Sequence, residues 1–287
     1  QMPAIWSFGS INIDHAYRVD HIPAPGETIA AREYSADLGG KGANQSVAAA
    51  RAGASVSHIG QIGADGKWAK TRLSDYGVNT RFITETDTPT GHAIITIDAY
   101  GENAITIFPG ANHSFKKSNL EEALSGAAPT DFLLLQNETN LQVEAAALGH
   151  QKGLYVIYSA APFDAEATKA VLPYLSMIIL NEIEAHQLHQ SQAKIPASVT
   201  VVTTRGANGA VWQSNTQSFD TPAFIVEPVD TTGAGDTFTG YLAASLAAGL
   251  SPEAAMIMAS RAAALKVTRF GTASAIPSRA EVDVFPN

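Results

Sequence analysis

The order of strand and helix patterns along this chain predicts an α/β fold: a doubly wound, mostly parallel sheet with helices on both faces. Short apolar runs with little polar alternation, as expected of strands buried on both faces, lie at 5–8, 57–62, 132–135, 155–158, 177–180 and 199–203. Longer helical patterns alternate with these runs and lie at 43–52, 66–76, 141–151, 181–189, 235–249 and 252–268. The last two helical patterns are rich in alanine, which allows a helix to approach a sheet closely.

Two extended segments, residues 28–38 and 91–108, interrupt this alternation, and the second contains a hairpin signal at 100–103, YGEN. On their own they could form an ordinary hairpin at the edge of the domain. We expect one domain over residues 1–287, with a small β-sheet built from segments of about 15–38 and 90–109 inserted in it. An exposed apolar sheet face needs a cover, which a second copy of the chain could supply.

The composition excludes several classes of function. The 287 residues carry a formal charge of −9 and no Lys/Arg cluster, which argues against nucleic-acid binding. No apolar run is long enough to span a bilayer and no secretory signal opens the chain, so we expect no membrane partner and a cytoplasmic location. The chain has no cysteine, which excludes disulfides, thiolate zinc sites and thiol nucleophiles.

Residues 228–240, PVDTTGAGDTFTG, are the most informative segment. A glycine-bracketed turn leads into the helical pattern, so free backbone N–H groups collect at a helix N-terminus, where an anion is favoured. Asp236 lies at the same place. It could be an ordinary first-turn partner of the helix dipole. A carboxylate beside an anion site is also what a reaction needs when a hydroxyl must lose its proton to attack a phosphoryl group.

Two strings identify the chain as a member of a known family by resemblance. Residues 230–238, DTTGAGDTF, resemble the C-terminal signature of the ribokinase-like (PfkB-type) carbohydrate kinases, and residues 38–45, LGGKGANQ, resemble the N-terminal one. The resemblance runs from about residue 5 to residue 280. It implies a β-sheet lid over a sugar, a homodimer formed through that lid, and transfer of the γ-phosphate of ATP to a sugar hydroxyl. D-ribose is the expected acceptor, with fructose, a 2-keto-3-deoxy sugar acid or a nucleoside as alternatives.

The resemblance also assigns the chemistry at the C-terminal signature. Asp236 would be the catalytic base, and the amides of Gly233, Ala234 and Gly235 would hold the transferring phosphate. A regulator that binds sugar and nucleotide without catalysis should have lost this aspartate or these glycines, and the chain has both. A NAD-dependent dehydrogenase on a similar sheet would need a glycine fingerprint that the sequence lacks.

Several polar residues suit a polyol. Asn12 and Asp14 follow the first strand and point to the same side of an extended chain, although an Asx-turn would place them there as well. Lys41 and Asn44 share one face of a first helical turn. Glu138 follows another strand, where a surface residue would be ordinary. By resemblance, the sugar contacts are Asn12, Asp14, Gly39, Gly40, Lys41, Asn44, Glu138 and Asp236.

The nucleotide and its metal ion are assigned mainly by resemblance. Asn181 and Glu184 have the spacing of a capping box, and in the family an Asn-x-x-Glu at this place is linked to magnesium, water and phosphate. Thr204, Gly206 and Gly209 resemble the T-x-G-x-x-G nucleotide loop, which by itself is a plain turn motif.

A monovalent cation, expected to be potassium, is also implied by the resemblance. Its neighbours would contribute mostly backbone carbonyls, and they are Asp230, Thr232, Lys266, Arg269 and Gly271. Ala275 stands where related chains often have serine, so one ligand could be missing.

Overall fold

The computed structural model describes residues 2–286. The strands are β1 (Ile5–Phe8), β2 (Asn12–Arg18), β3 (Glu33–Gly39), β4 (Val56–Ile62), β5 (Ile83–Glu85), β6 (Gly91–Ile97), β7 (Asn103–Phe108), β8 (Phe132–Leu135), β9 (Tyr155–Ser159), β10 (Met177–Asn181), β11 (Thr200–Thr204), β12 (Ala210–Gln213) and β13 (Ser218–Thr221). The helices are α1 (Lys41–Arg51), α2 (Lys67–Asp75), α3 (Lys117–Leu124), α4 (Gln142–Gln151), α5 (Ala165–Val171), α6 (Glu182–Gln190), α7 (Ala234–Ala247), α8 (Pro252–Val267) and α9 (Arg279–Asp283).

A nine-stranded sheet with the order β13-β12-β11-β10-β9-β8-β1-β4-β5 forms the centre of the molecule. The strands from β5 across to β11 run parallel, and β12 and β13 continue the sheet antiparallel. Successive side chains of β1 enter different cores: Ile5 packs in a cluster with α1, α7 and α8, and Trp6 packs in a cluster with α3 and α4. This alternation confirms the predicted parallel sheet with helices on both faces.

The six strands and six helices predicted around the main sheet are present, with boundaries shifted by at most two residues. Strands 5–8 and 132–135 match to the residue, and the helix predicted at 66–76 covers Lys67–Asp75. The sequence analysis did not identify α3, α5, α9, β5, β12 or β13. These elements are short or largely polar, so pairing and packing with distant parts of the chain, rather than a local apolar pattern, define them.

The segments predicted to form a lid make a separate four-stranded sheet of order β3-β2-β6-β7. Strand β2 runs parallel to β6, and the other two pairs are antiparallel. The extended segment predicted at 28–38 becomes a strand only from Glu33. The predicted hairpin is confirmed: Ile97 pairs with Asn103, and the Asp98 carboxylate accepts hydrogen bonds from the turn amides of Tyr100 and Glu102.

Helices α1 and α7 pack against each other at a glycine. A Cβ built on Gly240 would lie 2.6 Å from the Gln45 carbonyl oxygen and 2.8 Å from the Ala49 nitrogen, closer than side chains normally approach backbone. The absent side chain therefore permits the close approach. It brings residues 44 and 45 of α1 against the first turn of α7. Within residues 2–286, no helix has the length and apolar character needed to cross a bilayer.

His58 in β4 is buried and is expected to make stability depend on pH. Its Nε2 donates to the Gly9 carbonyl at 3.0 Å, so its Nδ1 accepts from the Ser46 hydroxyl at 2.7 Å. Burial lowers the pKa of His58 from 6.5 to about 4. The unfolded chain therefore binds a proton between these values that the folded protein does not, and acid removes stability over that range.

We expect His58 to remove up to about 3 kcal/mol of unfolding free energy as the pH falls from 6.5 towards 4, since one pKa unit corresponds to about 1.4 kcal/mol. Urea unfolding at pH 7 and pH 5 measures this loss, with His58→Gln as the comparison. The wild-type protein should lose more stability than the variant between the two pH values. An equal loss in both would contradict the assignment.

Candidate active site

A buried carboxylate lies in the first turn of α7. Asp236 is 7% exposed, and its Oδ2 accepts from the Asn44 Nδ2 at 3.1 Å while its Oδ1 accepts from the Gln45 Nε2 at 3.1 Å. Burial raises the pKa of Asp236, and the charge of Glu138 adds to this rise. The charge of Lys41 and the two amide hydrogen bonds lower the pKa in opposition. The carboxylate is therefore a stronger base than an exposed aspartate, and two side chains of α1 fix its orientation.

A second glutamine supports this carboxylate from the main sheet. The Gln136 Nε2 donates to the Gln45 Oε1 at 2.8 Å, so the amide of Gln45 must turn its Nε2 towards Asp236. A Cβ on Gly9 would lie 2.2 Å from the Gln136 Oε1, so glycine leaves the room that this side chain occupies. Sequence reasoning missed both glutamines. Gln136 is nevertheless the first polar residue after β8, at the edge where parallel sheets place ligands.

The turn before α7 presents backbone amides beside Asp236. Gly233 has a φ of 77° and precedes the first helical residue, Ala234, whose amide donates to the Thr231 carbonyl at 3.2 Å. Within residues 2–286, the amides of Gly233, Gly235 and Asp236 have no acceptor. A Cβ on Gly235 would meet no atom within 4 Å, so an anion could approach these amides. Of the three amides expected to hold a phosphate, that of Ala234 is thus engaged in the turn.

Glu138 links the end of β8 to the start of α1. Its Oε1 accepts from the Ser10 hydroxyl at 2.7 Å and from the Lys41 backbone amide at 2.9 Å. The Ser10 hydroxyl in turn accepts from the Gly42 amide at 3.1 Å. Ser10 has a role that the sequence analysis did not assign. No donor within residues 2–286 reaches the Glu138 Oε2, which remains able to accept from a ligand hydroxyl.

Asp14 lies on β2 of the four-stranded sheet, next to Gly39 of the neighbouring strand β3. A Cβ on Gly39 would lie 2.1 Å from the Asp14 Oδ2, so only glycine leaves space for this carboxylate. Burial raises the pKa of Asp14 to about 6, and the negative charges of Glu138 and Asp37 contribute to the rise. Two predicted sugar residues from distant parts of the sequence, Asp14 and Glu138, are therefore close enough to influence each other.

Asn12 is oriented by a residue that sequence reasoning missed. The buried Asn112 donates from its Nδ2 to the Asn12 Oδ1 at 2.8 Å, and its Oδ1 accepts from the Ile11 amide at 3.0 Å. Asn112 lies in a short 3-10 helix, Gly110–His113, that follows β7, and no sequence pattern marks it. Gly40 has a φ of 92°, and its Cβ would lie 2.9 Å from the Asn12 nitrogen, so both conformation and space require glycine there.

The predicted nucleotide residues lie at the same carboxyl edge of the sheet, at the ends of the neighbouring strands β10 and β11. Asn181 and Thr204 are register partners on β10 and β11. Asn181 and Glu184 form the capping box, with bonds of 2.7 Å and 2.8 Å. Gly206 and Gly209 have φ values of 53° and 88°, and a Cβ on Gly209 would lie 2.1 Å from a backbone oxygen, so the tight turn itself requires glycine.

The residues predicted around a monovalent cation form a connected group. The Asp230 carboxylate accepts from the Thr232 amide at 2.9 Å and from the Gly271 amide at 3.0 Å. The Lys266 ammonium donates to the Asp230 carbonyl at 2.9 Å and to the Arg269 carbonyl at 3.3 Å. Burial lowers the pKa of Lys266, and the charge of Asp230 opposes this. These residues were expected to contribute mostly backbone carbonyls to a cation, whereas the Lys266 side chain itself donates to two of those carbonyls.

The fold and the arrangement of Asp236 beside unpaired backbone amides indicate a phosphotransferase of the α/β class. The model of the pfkB family of carbohydrate kinases matches residues 2–279. The ribokinase of Haemophilus influenzae is 37% identical, covering 95% of each chain, and that of Bacillus subtilis is 34% identical, covering 98% of this chain and 99% of the relative.

A solved structure agrees with these relatives. The ribokinase of Arabidopsis thaliana complexed with ribose and ATP superposes with a TM-score of 0.88 at 28% identity and covers 98% of each chain. The chain belongs to the pfkB family of carbohydrate kinases, as the two signatures predict, and it is a sugar kinase that uses ATP.

Proposed function

We propose that this kinase transfers the γ-phosphate of ATP to D-ribose and forms D-ribose 5-phosphate, as the names of its relatives suggest. The observation that carries the proposal is the buried Asp236, which two α1 side chains orient beside the amides of Gly233 and Gly235. The same helix begins at the Lys41 amide, which binds Glu138. One helix therefore connects the proposed base with the proposed sugar pocket.

In the proposed reaction, Asp236 accepts the proton of the attacking sugar hydroxyl. The hydroxyl oxygen forms a bond to the γ-phosphorus, and the bond from that phosphorus to the bridging oxygen breaks and releases ADP. The amides of Gly233 and Gly235 stabilise the charge on the transferring group. Asn44 and Gln45 hold the carboxylate towards the hydroxyl.

The pocket is suited to a neutral polyol. The Asn44 Oδ1 is buried and has no donor within residues 2–286, and the Glu138 Oε2 is also unpaired there. Sugar hydroxyls would supply donors to both oxygens and to the Asp14 carboxylate. A sugar acid would instead bring its carboxylate close to the charges of Asp14 and Glu138, which disfavours that alternative.

Asn181, Glu184, Thr204, Gly206 and Gly209 are proposed to lie beside the nucleotide. Within residues 2–286, no three His, Cys, Asp or Glu side chains cluster to hold a metal ion, so magnesium would be bound mainly by phosphate and water. Glu184 could contact such a water, because only one of its oxygens is used by the capping box. When bound, magnesium would neutralise phosphate charge.

Potassium fits poorly among the residues expected to surround a monovalent cation. The Lys266 ammonium already lies on the carbonyls of Asp230 and Arg269, which were expected to bind the ion. No step of the proposed reaction depends on potassium.

The release of ADP from ATP and magnesium, measured across D-ribose, 2-deoxyribose, fructose, a 2-keto-3-deoxy sugar acid and nucleosides, tests this function. The strongest signal is expected with D-ribose. A stronger signal with another acceptor would keep the reaction and refute the substrate. If no acceptor causes ADP release while ligands still raise the melting temperature, the protein would be a binding protein without catalysis.

Sugar affinity is expected to weaken in acid because Asp14 loses its charge below about pH 6. The dissociation constant of the sugar, measured without ATP, should rise about tenfold for each pH unit below that pKa. Asp14→Asn should bind weakly at every pH. Asp37→Asn removes a charge that raises the pKa of Asp14, so its transition should move to lower pH. An unchanged pH dependence in Asp14→Asn would contradict this role.

A homodimer through the lid is proposed from the apolar row beside Asp14. Strand register places Asp14, Ala93 and Ile107 side by side on one face, with Ile105 two residues further along β7. Ile105 and Ile107 are 54% and 55% exposed. A second copy on this face would cover the row and the sugar pocket together. Light scattering after size exclusion should show a dimer that Ile107→Asp converts to a monomer, whereas Ile257→Asp on α8 should not.

A further inference from the structure

A buried ammonium group lies where a monovalent cation was expected. Lys266, in the last turn of α8, is fully buried, and its Nζ donates to the backbone carbonyls of Asp230 and Arg269 at 2.9 Å and 3.3 Å. Both partners are neutral carbonyl oxygens, the type of ligand that replaces the water shell of potassium in proteins. The C-terminal end of a helix also favours a positive charge at this place.

The ammonium joins the two segments that shape the anion-binding turn. Asp230 begins the turn that leads to α7, and its carboxylate accepts from the amides of Thr232 and Gly271. Arg269 belongs to the segment that follows α8. Through these two carbonyls, Lys266 connects the turn before α7 with the segment after α8. The turn before α7 also contains the amides of Gly233 and Gly235.

A second cation on the same oxygens would be unfavourable. It would lie within a few ångströms of the Lys266 ammonium, and the two positive charges would repel each other. The backbone carbonyl of Lys266 already accepts from the Arg269 amide at 2.9 Å. Ala275 has no hydroxyl that could act as a further ligand.

We infer that the Lys266 ammonium serves as a built-in monovalent cation, which orders the anion-binding turn so that phosphoryl transfer does not require potassium. Lys266 is then a positioning residue, because it acts through the turn and does not touch a reacting atom. This inference rests on the proposed function. It predicts that the activity is independent of potassium, whereas the family resemblance implied a dependence.

The first test compares ADP release in potassium chloride and in N-methylglucamine chloride at equal ionic strength. Wild-type rates should agree within about twofold, since its cation is covalently attached. Lys266→Ala should lose about tenfold or more in the organic salt, the size of effect expected when a group that organises anion-stabilising amides is removed. Potassium or ammonium chloride should restore most of that loss. Lys266→Met, which keeps the length of the side chain, should behave in the same way.

Lys70→Ala is the matched control, because the Lys70 ammonium also donates to a backbone carbonyl, that of Ile83, at 3.2 Å. Its rate should not depend on the salt. A wild-type rate that potassium raises several-fold would overturn the inference. Position 266 variants that stay equally active in both salts would overturn it as well.

The melting temperature without substrates provides a readout that is independent of catalysis. Potassium should raise it, relative to the organic salt, for Lys266→Ala and Lys266→Met but not for the wild type. If no sugar is phosphorylated, the proposed function fails while this measurement still tests the cation site. A potassium-induced rise in the wild type equal to that in the variants would refute the inference even then.

Discussion

Asp236→Asn is expected to lower kcat for sugar phosphorylation by about 10³-fold, within the range that general-base catalysis contributes. The amide has the shape of the carboxylate but cannot accept the proton of the attacking hydroxyl. It also presents an NH₂ group where Asp236 receives donors from Asn44 and Gln45. Steady-state kinetics with saturating ATP, together with direct sugar binding, would separate the loss of turnover from a smaller change in affinity.

The pH profile adds a readout specific to a base. Because burial raises the pKa of Asp236, the wild-type kcat should rise with pH as the carboxylate loses its proton, and Asp236→Asn should lack this rise. Asp75→Asn, at an exposed position of α2, should match the wild type in both measurements. Near-normal turnover in Asp236→Asn would remove this residue from the proposed role.

Gly240→Val is expected to lower the free energy of unfolding by about 2–3 kcal/mol, because overpacking a tight contact forces backbone to move. The new side chain would collide with the α1 backbone at Gln45 and Ala49. The resulting displacement of α1 should also reduce kcat, since it moves the donors to Asp236. Urea unfolding and kcat measured on the same preparation would test both effects.

Ala248→Val is the control for introducing a β-branched residue, because position 248 is exposed immediately after α7. This variant should change the free energy of unfolding by less than about 1 kcal/mol. If Gly240→Val proved as stable as Ala248→Val, the contact between α1 and α7 would be looser than described.

The sequence predicted what depends on local pattern. Strand 132–135 is a continuous apolar run, so its position followed from composition, whereas the polar β13 forms only because β12 lies beside it. In the site, Asp236 and Asn44 lie within recognisable strings. The bond between Gln45 and Gln136 joins residues 91 positions apart, and it exists only because the helix packs above the end of β8.

The direction of the Lys266 side chain is another feature that the sequence alone did not predict. The family resemblance implied a cation site here made mostly of backbone carbonyls, but the direction of a lysine side chain depends on the packing around it. Only the folded chain reveals that the ammonium group reaches the carbonyls of Asp230 and Arg269.

Helix α1 binds Glu138 through its first backbone amide and Asp236 through the side chains of Asn44 and Gln45. It also packs directly on the backbone of α7 at Gly240. A rigid element shared by two ligand sites makes their binding free energies interdependent. If sugar that contacts the start of α1 improves the alignment at the phosphate turn, it must raise the affinity for ATP by some factor. Thermodynamic reciprocity then requires ATP to raise the affinity for sugar by the same factor.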